Sequence, residues 1–397
     1  MPFLKLLYLL FFVFSCDDPA EIKDDKKEEE EKMEDDVFYF GSDLSYVNQI
    51  LDYNGEYKVD GVVENPYKIF SDRGNDIVRL RIWHNPTWTK EIYDGAGTQL
   101  YNDLYDVERA IKESKDQGMQ VMLDFHYSDT WTDPGHHEAP EAWKEIESIT
   151  VLGDSIYNYT YKTLSYLNDK GLMPEFVQVG NETNCGMFWS ERPDGFPPCG
   201  VCEGNGSWVY LNRVFDSGIQ AVRDVANSSG IDTKIILHVA DPANISWWFT
   251  SLLQAGDLSF DIIGISFYPI WHDEISVSQI EQTVAEFKST FEKDIMVVEA
   301  AYPWSAQGND SYGNIFGGGS AVAGYPFTPE GQLEMMKDIT QGLISGGAIG
   351  IVYWEPAWIT SDLRDRWGSG SSWENVTFFD FDGNANKGFD YMTYDYK

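Results

Sequence analysis

Eight short runs of β-branched and aliphatic residues, each followed by a longer amphipathic stretch, constrain this chain more than any other feature. They are Phe38–Gly41, Ile77–Ile82, Gln120–Phe125, Phe176–Val179, Lys234–Val239, Ile262–Phe267, Ile295–Glu299 and Ile349–Trp354. Several are apolar almost throughout (IVRLRI, VMLDF, IIGISF, IMVVE), the pattern of strands covered on both faces of a parallel sheet. Helical spacing is read over Leu104–Gln117, Ser155–Lys170, Trp208–Asn227, Ser278–Phe291 and Thr328–Ser345, the last opening on Thr-Pro-Glu as cap and first turn. A length of 397 residues would allow two or three domains. The alternation nevertheless runs on without a composition break, so a single (β/α)8 barrel over residues 37–397 is expected. A doubly wound open sheet is the second reading, and no GxGxxG follows any strand to support it.

The front of the chain stands outside that pattern. Met1–Phe14 (MPFLKLLYLLFFVF) is apolar after one Lys and too short to span a bilayer. Ser15 and Cys16 follow it, which resembles the lipobox of bacterial lipoproteins; residues 1–15 then form the signal peptide and Cys16 is the lipidated residue. An ordinary secretory signal with an incidental Cys is the alternative. Residues 17–36 hold 12 acidic and 4 basic side chains and too little apolar area to offset the entropy of ordering, so residues 16–36 read as a solvated tether. An acidic run at this place looks like the surface-export signal of Bacteroidota-type lipoproteins. The expected location is the outer membrane, facing the cell exterior, with the lipid on Cys16 as the only membrane contact; a plain spacer is the alternative.

With 65 acidic against 28 basic side chains, the net charge of −37 argues against nucleic acid, whose phosphates need Lys and Arg. It argues equally against docking on anionic lipid. The 14 Trp, 23 Tyr and 23 Phe fit sugar binding, where rings stack on pyranose faces, although core packing draws on the same residues. Cys185, Cys199 and Cys202 remain after the leader. An exported compartment permits a bridge among them but leaves its connectivity open. The Cys199–Cys202 pair lacks the second CxxC or the His that zinc would need.

In a barrel, chemistry gathers where strands end. The fourth strand ends on Asn181-Glu182 and the seventh on Glu299, and two opposed carboxylates are what glycoside hydrolysis needs. Arg79 and Arg81 lie two apart and share a strand face, from which a buried Arg would keep a carboxylate ionised. Asp124 and His126 share a face in the same way. Tyr268 could donate to a carboxylate, and Trp354 could floor a sugar site.

The segments VRLRIWHNP (Val78–Pro86), LDFHYSDTWTDPG (Leu123–Gly135), QVGNETNCGMFW (Gln178–Trp189), SFYPIWH (Ser266–His272), VVEAAYPW (Val297–Trp304) and VYWEPAWI (Val352–Ile359) resemble glycoside hydrolase family 53, the endo-β-1,4-galactanases. The resemblance covers everything after about Phe38, and FHYSDxWxDPG is its most specific motif. It implies a (β/α)8 fold and retaining hydrolysis of β-1,4-galactan in type I arabinogalactan side chains of pectin, with no catalytic cofactor. Carried over residue by residue, Glu182 is the acid/base and Glu299 the nucleophile. Asn181 would bind the 2-hydroxyl, Arg79 and Tyr268 would orient Glu299, and Trp354 would be the platform at the cleaved sugar. His126, Asp129 and Trp131 would shape the donor side, with Asp43 and Trp304 as further substrate-binding positions.

This chain departs from the family after Glu299, where Ala-Ala stands, and in its lengthened, Cys-bearing loop after Glu182. Some bacterial members hold a structural calcium in the loop after the nucleophile; Asn309, Asp310 and Asn314 are the hard oxygen donors here. Trp358, Trp367 and Trp373 lie among Gly and Ser in the last loop, as distal sugar platforms would. A monomer is expected, as no exposed heptad or swap signal is present. Two rivals remain: another retaining glycanase of the same clan, or a surface galactan-binding lipoprotein that has lost catalysis.

Overall fold

The computed structural model describes residues 37–397 except 94–96, 98, 203 and 205. The leader, Cys16 and the acidic tether lie outside the described residues. Eight parallel strands close into a barrel: β1 (Tyr39–Asp43), β2 (Ile77–Ile82), β3 (Gln120–Phe125), β4 (Phe176–Val179), β5 (Lys234–Ala240), β6 (Ile262–Phe267), β7 (Asp294–Ala300) and β8 (Gly350–Tyr353). Each pairs with its successor and β8 pairs with β1. The expected strands are all present, with ends shifted by a residue or two.

The helices differ more. The helix expected from Ser155 begins at Ile149, because Gly153 lies inside it rather than before it. A Cβ there would come within 2.7 Å of Ser217 Oγ, so the glycine marks where this helix packs closely on Trp208–Ser229. The expected start at Ser278 is a 3₁₀ turn, and the α-helix runs Ile280–Phe291. Pro242–Ala255 is an unexpected helix: Asp241 accepts the N–H of Ala243 as its cap and Pro242 opens the first turn. Its Trp-Trp-Phe run blurs the apolar period that would reveal it. Among the described residues no helix is long and apolar enough to cross a membrane.

The barrel interior changes character along the strands. Its lower layer is apolar: Ile77, Met122, Phe176, Ile236, Ile262, Met296, Val298 and Val352. Two residues further on, the same faces carry Arg79, Asp124, Gln178 and His238, and Ser266 lies four beyond Ile262, all buried. Burying so many polar groups is costly unless each is paired, so this layer is built for a purpose other than packing.

β7 contains a bulge. Ile265 pairs with Val297 but Ser266 pairs with Glu299, so β7 carries one extra residue there. The β8 side shows the same shift. Val298 and Glu299 are adjacent, yet Val298 belongs to the inner apolar layer and Glu299 also reaches inner partners. A bulge re-aims a side chain in this way, and without it strict alternation would turn Glu299 outward.

Candidate active site

Arg79 organises the polar layer. Its Nη1 donates to Asp43 Oδ2 at 2.8 Å, and Nη2 to Asp124 Oδ2 and Asn181 Oδ1, both at 2.8 Å. The same Nη2 lies 2.9 Å from Glu299 Oε1. One guanidinium thus serves three carboxylates from β1, β3 and β7, which its planar fork of donors permits. Tyr268 donates to the other oxygen of Glu299, Oε2, at 2.8 Å. Arg81, two residues on, pairs instead with Glu355. Its guanidinium lies 4.2 Å from the centre of the Tyr46 ring and 4.1 Å from that of Trp131.

Glu182 arrives by a strained turn. β4 ends at Val179, Gly180 takes φ +82°, and Glu182 itself has φ +41°. A side chain on Gly180 would strike Thr183 Cγ2 at 2.9 Å, so glycine is required there. Left-handed backbone on a non-glycine residue is held only where the surroundings demand it. Asn181 is fixed alongside, donating from Nδ2 to the carbonyl of Thr132 at 2.8 Å. Ser266 Oγ lies 2.5 Å from Glu182 Oε1, and carboxylate oxygens of Glu182 and Glu299 come within 4.8 Å of each other.

The two carboxyls are not equivalent. Burial pushes Glu299 up to about 7, while Arg79 and Tyr268 act to lower it. Burial and the neighbouring Glu299 push Glu182 well above the usual carboxylate range, against the opposing hydrogen bond from Ser266. The first negative charge on the pair therefore settles on Glu299, and Glu182 keeps its proton longer.

Both glutamates open into a cleft of about 700 Å³ lined by Trp131, Asn181, Trp271, Trp354 and Trp367 among others. Trp131 and Trp354 stand edge to face at 5.8 Å. The three tryptophans of the last loop separate. Trp367 is 61% exposed, whereas Trp358 is 2% exposed against Tyr46 and Trp373 is wholly buried behind Trp354. All three line the cleft, Trp358 and Trp373 from buried positions in its wall and Trp367 with an open ring.

Other positions named from the sequence lie below or beside the cleft. Asp43 is buried on Arg79 and Ser45. His126 is buried between Asp124 (3.0 Å) and Thr132 Oγ1 (3.1 Å). Asp129 accepts the backbone N–H groups of Asn85 and Glu141, both at 2.8 Å, so it braces two loops. Trp304 packs on Phe381. The residues that sequence reasoning missed are His238, Ser266, Trp271 and Glu355. Ser266 on β6 sits two before Tyr268, which directly follows the strand, so the spacing used for Arg79 and Arg81 would have found it.

Of the three oxygen donors named for calcium, Asp310 is engaged by the N–H groups of Tyr312 and Ser371, at 2.7 and 2.8 Å, and Asn309 donates to the carbonyl of Phe381 at 3.4 Å. Asn314 Oδ1, Ser372 Oγ and Asn375 Oδ1 are buried with no hydrogen-bond partner among the described residues. These two loops are joined by the N–H of Ile315 on the carbonyl of Ser372. Oxygen atoms are what a hard cation prefers, and these three belong to the two loops that this backbone contact joins. Asn309 donates through its amide nitrogen and Asp310 accepts two backbone N–H groups, so both brace the loop while keeping oxygen lone pairs that a cation would use.

The loop after Glu182 is closed by a Cys185–Cys202 disulfide, and Cys199 is a buried free thiol. The Cys199–Cys202 motif is therefore not the bridge.

The family model for glycosyl hydrolase family 53 matches residues 39–392. The arabinogalactan endo-β-1,4-galactanase of Cellvibrio japonicus is 40% identical over 343 residues, 86% of each chain. That of Thermothelomyces thermophilus is 33% identical over 80% of this chain and 87% of its own. Among solved structures, a family 53 catalytic domain from Ignisphaera aggregans superposes with a TM-score of 0.78 at 31% identity, covering 91% of this chain and 97% of that one.

Proposed function

The chain belongs to glycosyl hydrolase family 53 and is a glycoside hydrolase, and on that premise we propose that it cleaves β-1,4-galactan, such as the side chains of pectin, internally and with retention. The observation that carries retention is that a carboxylate oxygen of Glu182 lies within 4.8 Å of one of Glu299; the substrate reading rests on the family and its relatives. Retaining enzymes hold their two carboxyls about 5–5.5 Å apart, and inverting ones leave about 6.5–9.5 Å for a water.

Glu299, ionised first, attacks the anomeric carbon while Glu182 passes its proton to the departing glycosidic oxygen. Water then enters, gives a proton to Glu182, and displaces Glu299 from the galactosyl carbon. Asn181 would hold the 2-hydroxyl, Trp354 would floor the cleaved sugar, and the exposed Trp367 would extend the cleft for a polymer. No metal takes part in these steps; a calcium at Asn314 would fasten the loop after β7 to the loop after β8.

Incubation with linear β-1,4-galactan, with mannan, xylan, arabinan and cellulose as controls, tests the reading. A ladder of galacto-oligosaccharides appearing early supports it. Galactose alone would make the enzyme exo-acting, and binding without product would make it a capture protein.

We propose further that the protein is exported as a lipoprotein on Cys16 and works as a monomer at the outer surface. The support is the short apolar leader ending in Ser-Cys and the acidic run behind it. Lipid labelling lost in Cys16→Ala, with protease sensitivity of intact cells, would bear this out.

A further inference from the structure

Two buried side chains between the glutamates have no part in the chemistry above. Ser266 on β6 and His238 on β5 are wholly buried in the polar layer. Ser266 Oγ lies 2.5 Å from Glu182 Oε1, 2.8 Å from His238 Nε2 and 3.5 Å from Glu299 Oε2. On the far side of the imidazole, the backbone nitrogen of Glu182 donates to Nδ1 at 3.3 Å. A backbone N–H can only donate, so Nδ1 accepts and the ring carries its hydrogen on Nε2. Asn181 Oδ1 is also 3.0 Å from Nδ1, but takes its own donors from Arg79 and Gln178. Burial, with Arg79 and His126 nearby, keeps the imidazole neutral. The chain of contacts then has one polarity: His238 Nε2–H donates to Ser266 Oγ, whose own hydrogen goes to Glu182 Oε1.

We propose that Ser266, oriented by His238, is the positioning residue that decides which oxygen of Glu182 carries the acid proton; this rests on Glu182 being the acid/base. With Oε1 occupied by the serine hydrogen, the carboxyl proton sits on Oε2, the oxygen left for the glycosidic bond. In the first step the Oε2–H bond breaks as that proton passes to the leaving oxygen, and in the second Oε2 takes a proton from water. No proton leaves Ser266 or His238 in either step. The serine contact strengthens on the carboxylate that exists between them, since hydrogen bonds to a charged oxygen are about twice as strong as neutral ones. The charged and titratable groups facing Glu182 are Glu299 on β7, Asp133 in the loop after β3, Arg79 on β2, Tyr268 at the end of β6 and His238 on β5. Of these Glu299 and Asp133 oppose its ionisation, so the serine hydrogen bond works against them.

The test compares wild type, Ser266→Ala and Ser266→Thr on linear galactan and on a dinitrophenyl β-1,4-galactobioside. For Ser266→Ala, kcat/KM on galactan should fall about tenfold to a hundredfold, the worth of a hydrogen bond to a charged group. On the dinitrophenyl substrate, whose leaving group needs little protonation, the loss should be several times smaller. The basic limb of kcat/KM should move to higher pH, because a hydrogen bond favouring the anion has gone. Ser266→Thr, which keeps the hydroxyl, should restore the limb. Equal losses on both substrates, an unmoved limb or no rescue by threonine would overturn the proposal. If Ser266→Ala does not fold, His238→Gln must shift the same limb upward in its place. A wild type inactive on galactan would strike the substrate reading instead, and the limb on the dinitrophenyl substrate would still decide the role of Ser266.

Discussion

Arg79 meets Glu299 at 2.9 Å, Nη2 to Oε1, while the same guanidinium holds Asp43 and Asp124. Burial raises Glu299, the proposed nucleophile, to about 7, and Arg79, kept in place by two other carboxylates, acts against that rise. A lysine supplies a point charge rather than a fork and cannot serve all three. In Arg79→Lys the pKa of Glu299 should rise, because the group that lowers it is weakened. The acidic limb of kcat/KM should then move to higher pH by about one unit, equivalent to about 1.4 kcal/mol. Leaving a buried carboxylate unpaired should also cost on the order of 3 kcal/mol of stability, read by chemical denaturation.

The last-loop tryptophans should divide by burial. Trp367→Ala removes an exposed ring, so the melting temperature should hardly move while KM for long galactan rises severalfold. Trp358→Ala empties a packed site against Tyr46 and should destabilise by about 3–5 kcal/mol. A destabilised Trp367→Ala with unchanged KM would contradict the division.

Reducing or replacing the Cys185–Cys202 bridge frees a loop anchored three residues beyond Glu182. A closed loop of about 15 residues is worth about 3 kcal/mol in the chain-entropy account. Cys185→Ser/Cys202→Ser should therefore lower the melting temperature, and Cys199→Ser should not reproduce the loss.

A calcium in the loop after β7, held by oxygens such as those of Asn309, Asp310 and Asn314, should reveal itself without activity. Chelation should lower the melting temperature and calcium should restore it, since a ligand that binds only the native state stabilises it by mass action. Asn314→Ala should remove that response. An unchanged transition in chelator would leave the three oxygens without a cation.

The barrel was legible because buried parallel strands are apolar almost throughout; Glu182, Glu299 and Tyr268 drew attention because they stand at or just past strand ends, and Arg79 because it shares a strand face with Arg81. Strict alternation fails at Glu299: Val298 and Glu299 both reach inward through a bulge that no side-chain pattern announces. His238 was hidden as an isolated polar residue within the apolar run IILHVA, whereas Ser266 could have been found from its spacing to Tyr268. Loop composition did not show that the chain folds back over Trp358 and Trp373, which line the cleft from buried positions. Asp129, named from the family resemblance, accepts two backbone N–H groups of neighbouring loops, a bracing role that the motif alone does not reveal.

The central claim is that Glu299 forms a covalent bond to the anomeric carbon while Glu182 exchanges the proton. Proton NMR of the first oligosaccharides released from linear β-1,4-galactan tests it most directly. Two displacements predict that new reducing ends appear as the β-anomer, with α accumulating only at the rate of mutarotation. New ends appearing first as the α-anomer would mean a single displacement and would contradict the roles assigned to both glutamates.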